Sequence, residues 1–312
     1  VDTTQPNRQS EQNTGTTRVE STTRRAVLRT VGAATTAGIG LVGASETASS
    51  TELLEATCGS NEGGPTSFPR VTTRGHFTVG TDGVTLTEDH TKTDWETAGD
   101  FDGIYDGDEL LVFVHGWNVT DDEALDIFYT GKQAFRANGF DESFIGFSYG
   151  SDREWESAKT VAERNGPKLG RFLADVRERH PDITLQLVAH SLGARVVLSA
   201  LSHLADGGYE NLVASVSLLG GAADDHSVSK GGQYHTAVET ATASFENFHK
   251  TDDQVLQDIY GLYELGKAVG EVGCDGTSPT NYEDHDVTDS VTSHCGYYKE
   301  DVGCIPEVVA EF

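Results

Sequence analysis

The chain has 312 residues, 36% of them apolar, enough for one large domain or two small ones with a real core. Its 50 acidic residues outnumber 22 basic ones, for a formal net charge of −28. That balance excludes a nucleic-acid partner, which needs a basic face, and disfavours anionic membranes for the same reason.

Residues 1–48 are organised differently from the rest. A polar start, VDTTQPNRQSEQNTGTTRVES, is followed by TTRRAVLRT with paired Arg24 and Arg25, then by a mild Ala/Gly/Thr/Val run ending in GASETASS. That order resembles a twin-arginine export signal: basic region, weakly apolar region, small-residue cleavage zone. It implies the twin-arginine export machinery as a partner and a destination outside the cell, either extracellular or cell-surface associated. Ala26 to Ser45 contains Arg29 and several glycines, too weak for a transmembrane helix, and no later segment approaches a span. The acidic excess, with Arg outnumbering Lys, resembles the proteins of salt-loving archaea, where a carboxylate-rich surface keeps a chain hydrated.

Residues 49–75 read as a lead segment containing SNEGGPTSFP, and residues 76–312 as a single domain. Short apolar runs then alternate with longer helix-compatible stretches. The runs, in order, are FTVG, ELLVFVHG, FIGFSYG, ITLQLVAHS, LVASVSLLGG, ASFENFH and VTDSVTSH. Between them, DDEALDIFYTGKQAFRANG, REWESAKTVAERNGPKLGRFLADVRERH and LGARVVLSALSHLADGG repeat apolar residues at three- and four-residue steps. The alternation predicts an α/β fold, a mostly parallel central sheet with helices on both faces. Cys58, Cys274, Cys295 and Cys304 are even in number and form no CxxC pair, which favours disulfides over metal; at least one bridge is expected near the C-terminus.

In such sheets chemistry gathers just beyond the carboxyl ends of the strands. Ser191, in AHSLG, stands between a strand and a helix, with Ala189 and Gly193 as small neighbours where the two backbones cross. Those five residues fit both a nucleophile on a sharp turn and a plain helix cap. The flanking order favours the nucleophile. VHGWN offers an earlier loop in which the N–H of Trp117 would join that of Leu192 around an oxyanion, with His115 fixing the loop. After Ser191 the expected order is an acid, then a histidine: the acids on offer are Asp252 and Asp253, or Asp224 and Asp225 one strand earlier, and the late histidine is His294. His226, His235, His249 and His285 show no HxH or HxxxH spacing, so neither a metal nor a cofactor is expected.

At these residues the chain resembles an α/β-hydrolase. More narrowly, it resembles a bacterial and archaeal family of uncharacterised, esterase- or lipase-like serine hydrolases that read VHGxN, FSWPS, AHSMG, DxxL and a late HxxY. Here those stand in order as VHGWN, FSYGS, AHSLG, DQVL and HCGY, over roughly residues 105–300. The resemblance selects Asp253 as the acid orienting His294, with Asp224 or Asp225 as the alternative. Tyr149-Gly150 in place of Trp-Pro, and Leu192 in place of Met, alter the expected pocket shape. What the resemblance implies is a hydrolase that cleaves a small ester or lipid through an acyl-enzyme; the signal-like segment and the acidic charge add the expectation that it is exported and salt-adapted. The same fold and triad also host acyltransferases and peptidases, and a scaffold without turnover would be a surface-binding protein.

Overall fold

A computed structural model of the chain describes Cys58 and residues 63–312; the export signal expected over residues 1–48 lies outside them. Each run between the expected helices that is apolar throughout forms a strand buried on both faces. In β5 (Glu109–Val114) every residue from Leu110 to Val114 is fully buried, as a central parallel strand requires. β6 (Ser143–Ser148), β7 (Thr184–His190), β8 (Val213–Leu219) and the second half of β9 (Thr242–His249) are also buried, although β8 and β9 carry the buried polar residues Ser215, Ser217, Glu246 and Asn247. With β1 (Arg70–Thr72), β4 (Glu96–Ala98) and β10 (Tyr282–Asp286) they make an eight-stranded sheet in the order β10-β9-β8-β7-β5-β6-β1-β4. All neighbours are parallel except β1 and β4. β2 (Phe77–Gly80) and β3 (Gly83–Leu86) form a separate hairpin.

Helices cover both faces. α2 (Trp155–Arg179) and α3 (Gly193–Asp206) bury Leu169, Phe172, Val196 and Leu201 with Val112 and Leu187 on one side. On the other, α1 (Asp121–Ala137) and α7 (Ile305–Ala310) bury Leu125, Phe128 and Val308 with Leu111 and Phe113. α1 begins at a capping box in which the Thr120 hydroxyl accepts from the Glu123 N–H and the Glu123 carboxylate accepts from the Thr120 N–H; Asp121, Asp122 and Glu123 suit the positive end of the helix dipole. Shorter helices α4 (His235–Ala241), α5 (Gln254–Ile259) and α6 (Val269–Val272) follow β8 and β9. No helix among the described residues is long and apolar enough to cross a membrane.

Two expectations need correction, and that of a bridge near the C-terminus is met through Cys295. VTDSVTSH is not a strand: Val291 N–H donates to the Val287 carbonyl at 2.9 Å, so the two valines stack on one turn and bury together. The last strand is instead the preceding YEDHD, whose mostly exposed acidic residues carry no apolar pattern because it lies at the sheet edge. The lead segment is not outside the fold, since Arg70–Thr72 pairs with β6. The disulfide joins Cys58 to Cys295 across 237 residues of sequence; Cys295 does take part near the C-terminus, but Cys274 and Cys304 remain free thiols.

β5 lies between β6 and β7, so the chain leaves β5 in one direction and returns across it through α2 to continue in the other. Crevices open at such a reversal, outside the carboxyl ends of the strands.

Candidate active site

Ser191 follows β7 directly, at the reversal. Its φ is +53°, in the left-handed region that side chains with a Cβ rarely occupy. Three backbone hydrogen bonds hold it there: its N–H donates to the Leu219 carbonyl at 3.0 Å, and its own carbonyl accepts from the Ala222 N–H at 2.9 Å and the Ala194 N–H at 3.0 Å. The turn closes only because its neighbours are bare. A Cβ on Gly193 would stand 2.7 Å from the Val114 carbonyl oxygen, and one on Gly116 would stand 3.0 Å from the Ser191 Cβ. This is the sharp strand-to-helix turn that lifts a side chain off the sheet edge. A plain helix cap is not what Ser191 makes, since the residue before α3 is Leu192 and no side chain caps it.

His294 lies in the turns after β10 and Asp253 at the start of α5. His294 Nδ1 donates to Asp253 Oδ2 at 2.8 Å, and both residues are buried. Asp253 Oδ1 accepts from the Leu256 N–H, and Oδ2 also accepts from the Tyr297 hydroxyl at 3.4 Å. Burial pushes the Asp253 carboxyl up, but the His294 imidazole and the Leu256 N–H outweigh it and hold the group below its usual range. With Nδ1 committed to the carboxylate, Nε2 of His294 is left as the proton acceptor.

His190, immediately before Ser191, reaches across the site. Its Nε2 donates to the His294 carbonyl at 2.8 Å, tying the strand end to the histidine loop. Burial, then the nearby His294, pushes its pKa down to about 3, so it is a neutral donor. The Cys58–Cys295 disulfide anchors the same loop one residue past His294, and the Tyr298 hydroxyl donates to the Cys58 carbonyl at 2.8 Å.

The loop after β5 faces Ser191 from the other side. His115 is fully buried; its Nδ1 donates to the Gly116 carbonyl at 2.9 Å and its Nε2 accepts from the Tyr149 N–H at 3.2 Å. Burial, then the Arg74 guanidinium, holds its pKa well below the usual histidine range. His115 therefore spends both nitrogens on the loop and has none for Ser191. The backbone N–H groups of Trp117 and Leu192 have no acceptor among the described residues. Ser191, His294, His190 and Gly116 share one narrow cleft, walled by Trp117, Val255 and Ile259 and by Cys58. At about 10 Å³ it holds roughly one water. The Trp117 indole is fixed by donating to the Arg153 carbonyl at 2.8 Å.

Asp224 and Asp225 are turned elsewhere. Asp225 accepts from His226 Nδ1 at 2.7 Å and Asp224 from the His226 N–H at 3.0 Å; neither meets His294. Among the described residues, three groups bring potential metal ligands within 4.8 Å of one another: His76, His90 and Glu96; Asp224, Asp225 and His226; and Glu246, Glu283 and His285. None includes a residue of the Ser191 cleft. In the first, the buried Lys168 ammonium already donates to His76 Nδ1 at 3.0 Å and to Asp94, supplying the cation itself.

A protein-family model described as "Alpha/beta hydrolase of unknown function (DUF900)" matches residues 103–259. Among curated proteins, the chain is 28% identical to "Uncharacterized membrane protein C6F6.13c" of Schizosaccharomyces pombe, over 46% of this chain and 24% of that protein. It is 27% identical to "Uncharacterized protein alr1448" of Nostoc sp., over 32% of this chain and 33% of that one. The chain thus spans no more than 33% of the length of either relative. Among solved structures it is similar to XC6422 from Xanthomonas campestris, described as "a member of a/b serine hydrolase without lid", with 14% identity, TM-score 0.36 and coverage of 64% of this chain and 78% of that one. It is also similar to a lipase-esterase related protein from Clostridium acetobutylicum, with 16% identity, TM-score 0.37 and coverage of 66% and 94%.

Proposed function

Because the chain belongs to the family of α/β hydrolases of unknown function (DUF900), we propose that it is a serine hydrolase of carboxylic esters, working through Ser191, His294 and Asp253. One observation carries this reading: a serine held at φ +53° at the end of β7 shares a cleft with a histidine whose Nδ1 is bound to a buried carboxylate. Asp253 keeps His294 in the tautomer with a free Nε2, which removes the Ser191 proton as Oγ attacks the ester carbonyl. The N–H groups of Trp117 and Leu192 receive the oxyanion. The tetrahedral adduct collapses to an acyl-serine as His294 returns the proton to the leaving alcohol. Water, deprotonated by the same Nε2, then attacks the acyl-serine and restores the hydroxyl.

The apolar walls, Trp117, Val255 and Ile259, support an ester or lipid with an uncharged acyl group. Export by the twin-arginine route, to the outside or the cell surface, rests on Arg24 and Arg25 with the apolar run after them. A disulfide is in keeping with such an oxidising destination, and the net charge of −28 with life in concentrated salt. The test is turnover of a series of esters of increasing chain length in molar salt. Ser191→Ala is expected to lose at least a thousandfold in kcat with an unchanged circular dichroism spectrum; turnover persisting in that variant rejects the assignment.

A further inference from the structure

Large apolar side chains are scarce on the described surface: Val79, Leu262, Tyr263 and Leu265 are the exposed ones, and three of them fall within four consecutive positions. Isolated exposed apolar residues are ordinary, but a cluster on a carboxylate-rich surface is not. This cluster occupies the π-helical turn Tyr260–Glu264 that continues α5, and the residue after it. Its exposures are 61%, 50% and 91% for Leu262, Tyr263 and Leu265.

The turn is held from beneath. Glu264 accepts from the Trp155 indole and from the Lys159 ammonium, both at 2.7 Å, with the Arg195 guanidinium 3.6 Å away. Leu265 has φ +56° and donates its N–H to the Tyr260 carbonyl. Glycine or asparagine would close that turn with less strain and no exposed apolar surface. The ridge is therefore a fixed feature that the fold carries at a cost.

The ridge also connects to the cleft. The Tyr263 ring lies 6.5 Å from Trp155, and Trp155 lies 5.3 Å from Trp117, which lines the cleft with Ser191 and His294. Ile259, the last residue before the turn, lines the same cleft. From Gln254 to Leu265 the chain has two acidic and no basic residues. Nothing there attracts an anionic headgroup, and the molecule as a whole repels one.

We infer that Leu262, Tyr263 and Leu265 seat the protein on a lipid surface without net charge, which Ile259 and the packed rings of Tyr263, Trp155 and Trp117 hold beside the Ser191 cleft. The substrate class this assigns is esters presented at a zwitterionic lipid–water interface; that assignment rests on the ester-hydrolase reading, whereas the docking surface does not.

The test uses the full chain carrying Ser191→Ala, so that binding is read without turnover, in flotation with phosphatidylcholine vesicles in molar salt. The variant is expected to float with these vesicles, and adding Leu262→Ser with Leu265→Asn is expected to weaken binding at least tenfold. Replacing a third of the lipid by phosphatidylglycerol is expected to weaken it further as salt is lowered. With Ser191 intact, the Leu262→Ser, Leu265→Asn protein is expected to turn over a water-soluble ester within twofold of the parent, which shows that it folds. No flotation, or equal flotation of both proteins, overturns the docking surface. So does a dimer that the double substitution converts to monomer, which would make a second copy the occupant. Flotation by a chain that cleaves no ester would overturn the hydrolase reading and leave the docking surface standing.

Discussion

His190 does more for the site than its place between a strand and a serine suggests. Its Nε2 is the buried donor to the His294 carbonyl, and an unmet buried carbonyl costs about 1–3 kcal/mol. His190→Leu is therefore expected to lower the thermal midpoint by several degrees, roughly 2–4 °C per kcal/mol for a domain of this size. It is also expected to lower kcat more than it raises KM, because the histidine loop loses its tether; an unchanged midpoint and kcat would deny His190 that role. The small residues two positions to either side of Ser191 fit a nucleophile and a helix cap alike, and it was the order of VHGWN before it and an acid and His294 after it that singled Ser191 out. His190 and Tyr297 were not assigned their hydrogen bonds, because these span 104 and 44 residues and a sequence does not show which distant groups meet. Asp253 lay between the two: residue type and position narrowed the acid to four candidates, the match of DQVL to DxxL chose Asp253 among them, and in the structure Asp253 is the one that meets His294.

Among the elements, the central strands were readable for the reason they are central. Burial on both faces favours apolar runs, unbroken in Leu110–Val114 and interrupted only by small or paired polar residues in the neighbouring strands. The edges were not. β1 and β4 are three residues each, and β10 reads YEDHD because little covers it. The mistaken strand VTDSVTSH and the unforeseen partner of Cys295 concern one region, the turns carrying His294. That region has little secondary structure of its own and depends on the bridge to Cys58. Removing a native bridge such as this one, which closes 237 residues, costs about 2–5 kcal/mol of stability. Cys295→Ser is expected to lower stability by that order and to depress kcat through the neighbouring His294. Cys274→Ser, at a free and partly exposed thiol, is expected to change neither. Equal behaviour of the two variants in melts and ester kinetics would show that the bridge does not support the site.

At the scale of the whole molecule, buried histidines set a pH dependence that the acidic composition hides. Burial, then His294, lowers the His190 pKa to about 3, and burial, then Lys168, lowers that of His76 to about 4. Both are 1% exposed. An unfolded chain takes up these protons near pH 6.5, whereas the folded chain refuses them until about pH 4 and 3. The stabilisation from neutral burial is thus complete above about pH 6.5 and is lost as pH falls towards 4, at up to ~1.4 kcal/mol per pH unit for each histidine. Melts in molar salt, which screens the repulsion among carboxylates, are expected to show the decline; a flat profile from pH 7 to about 4 would mean these histidines are not held neutral. Reaction of the folded full chain with a fluorophosphonate in molar salt, read by mass spectrometry, tests the central claim most directly. One adduct on Ser191, absent in Ser191→Ala and slowed at least a hundredfold in His294→Ala, is the predicted result. No adduct on a chain that remains folded, or an adduct on another residue, would contradict it.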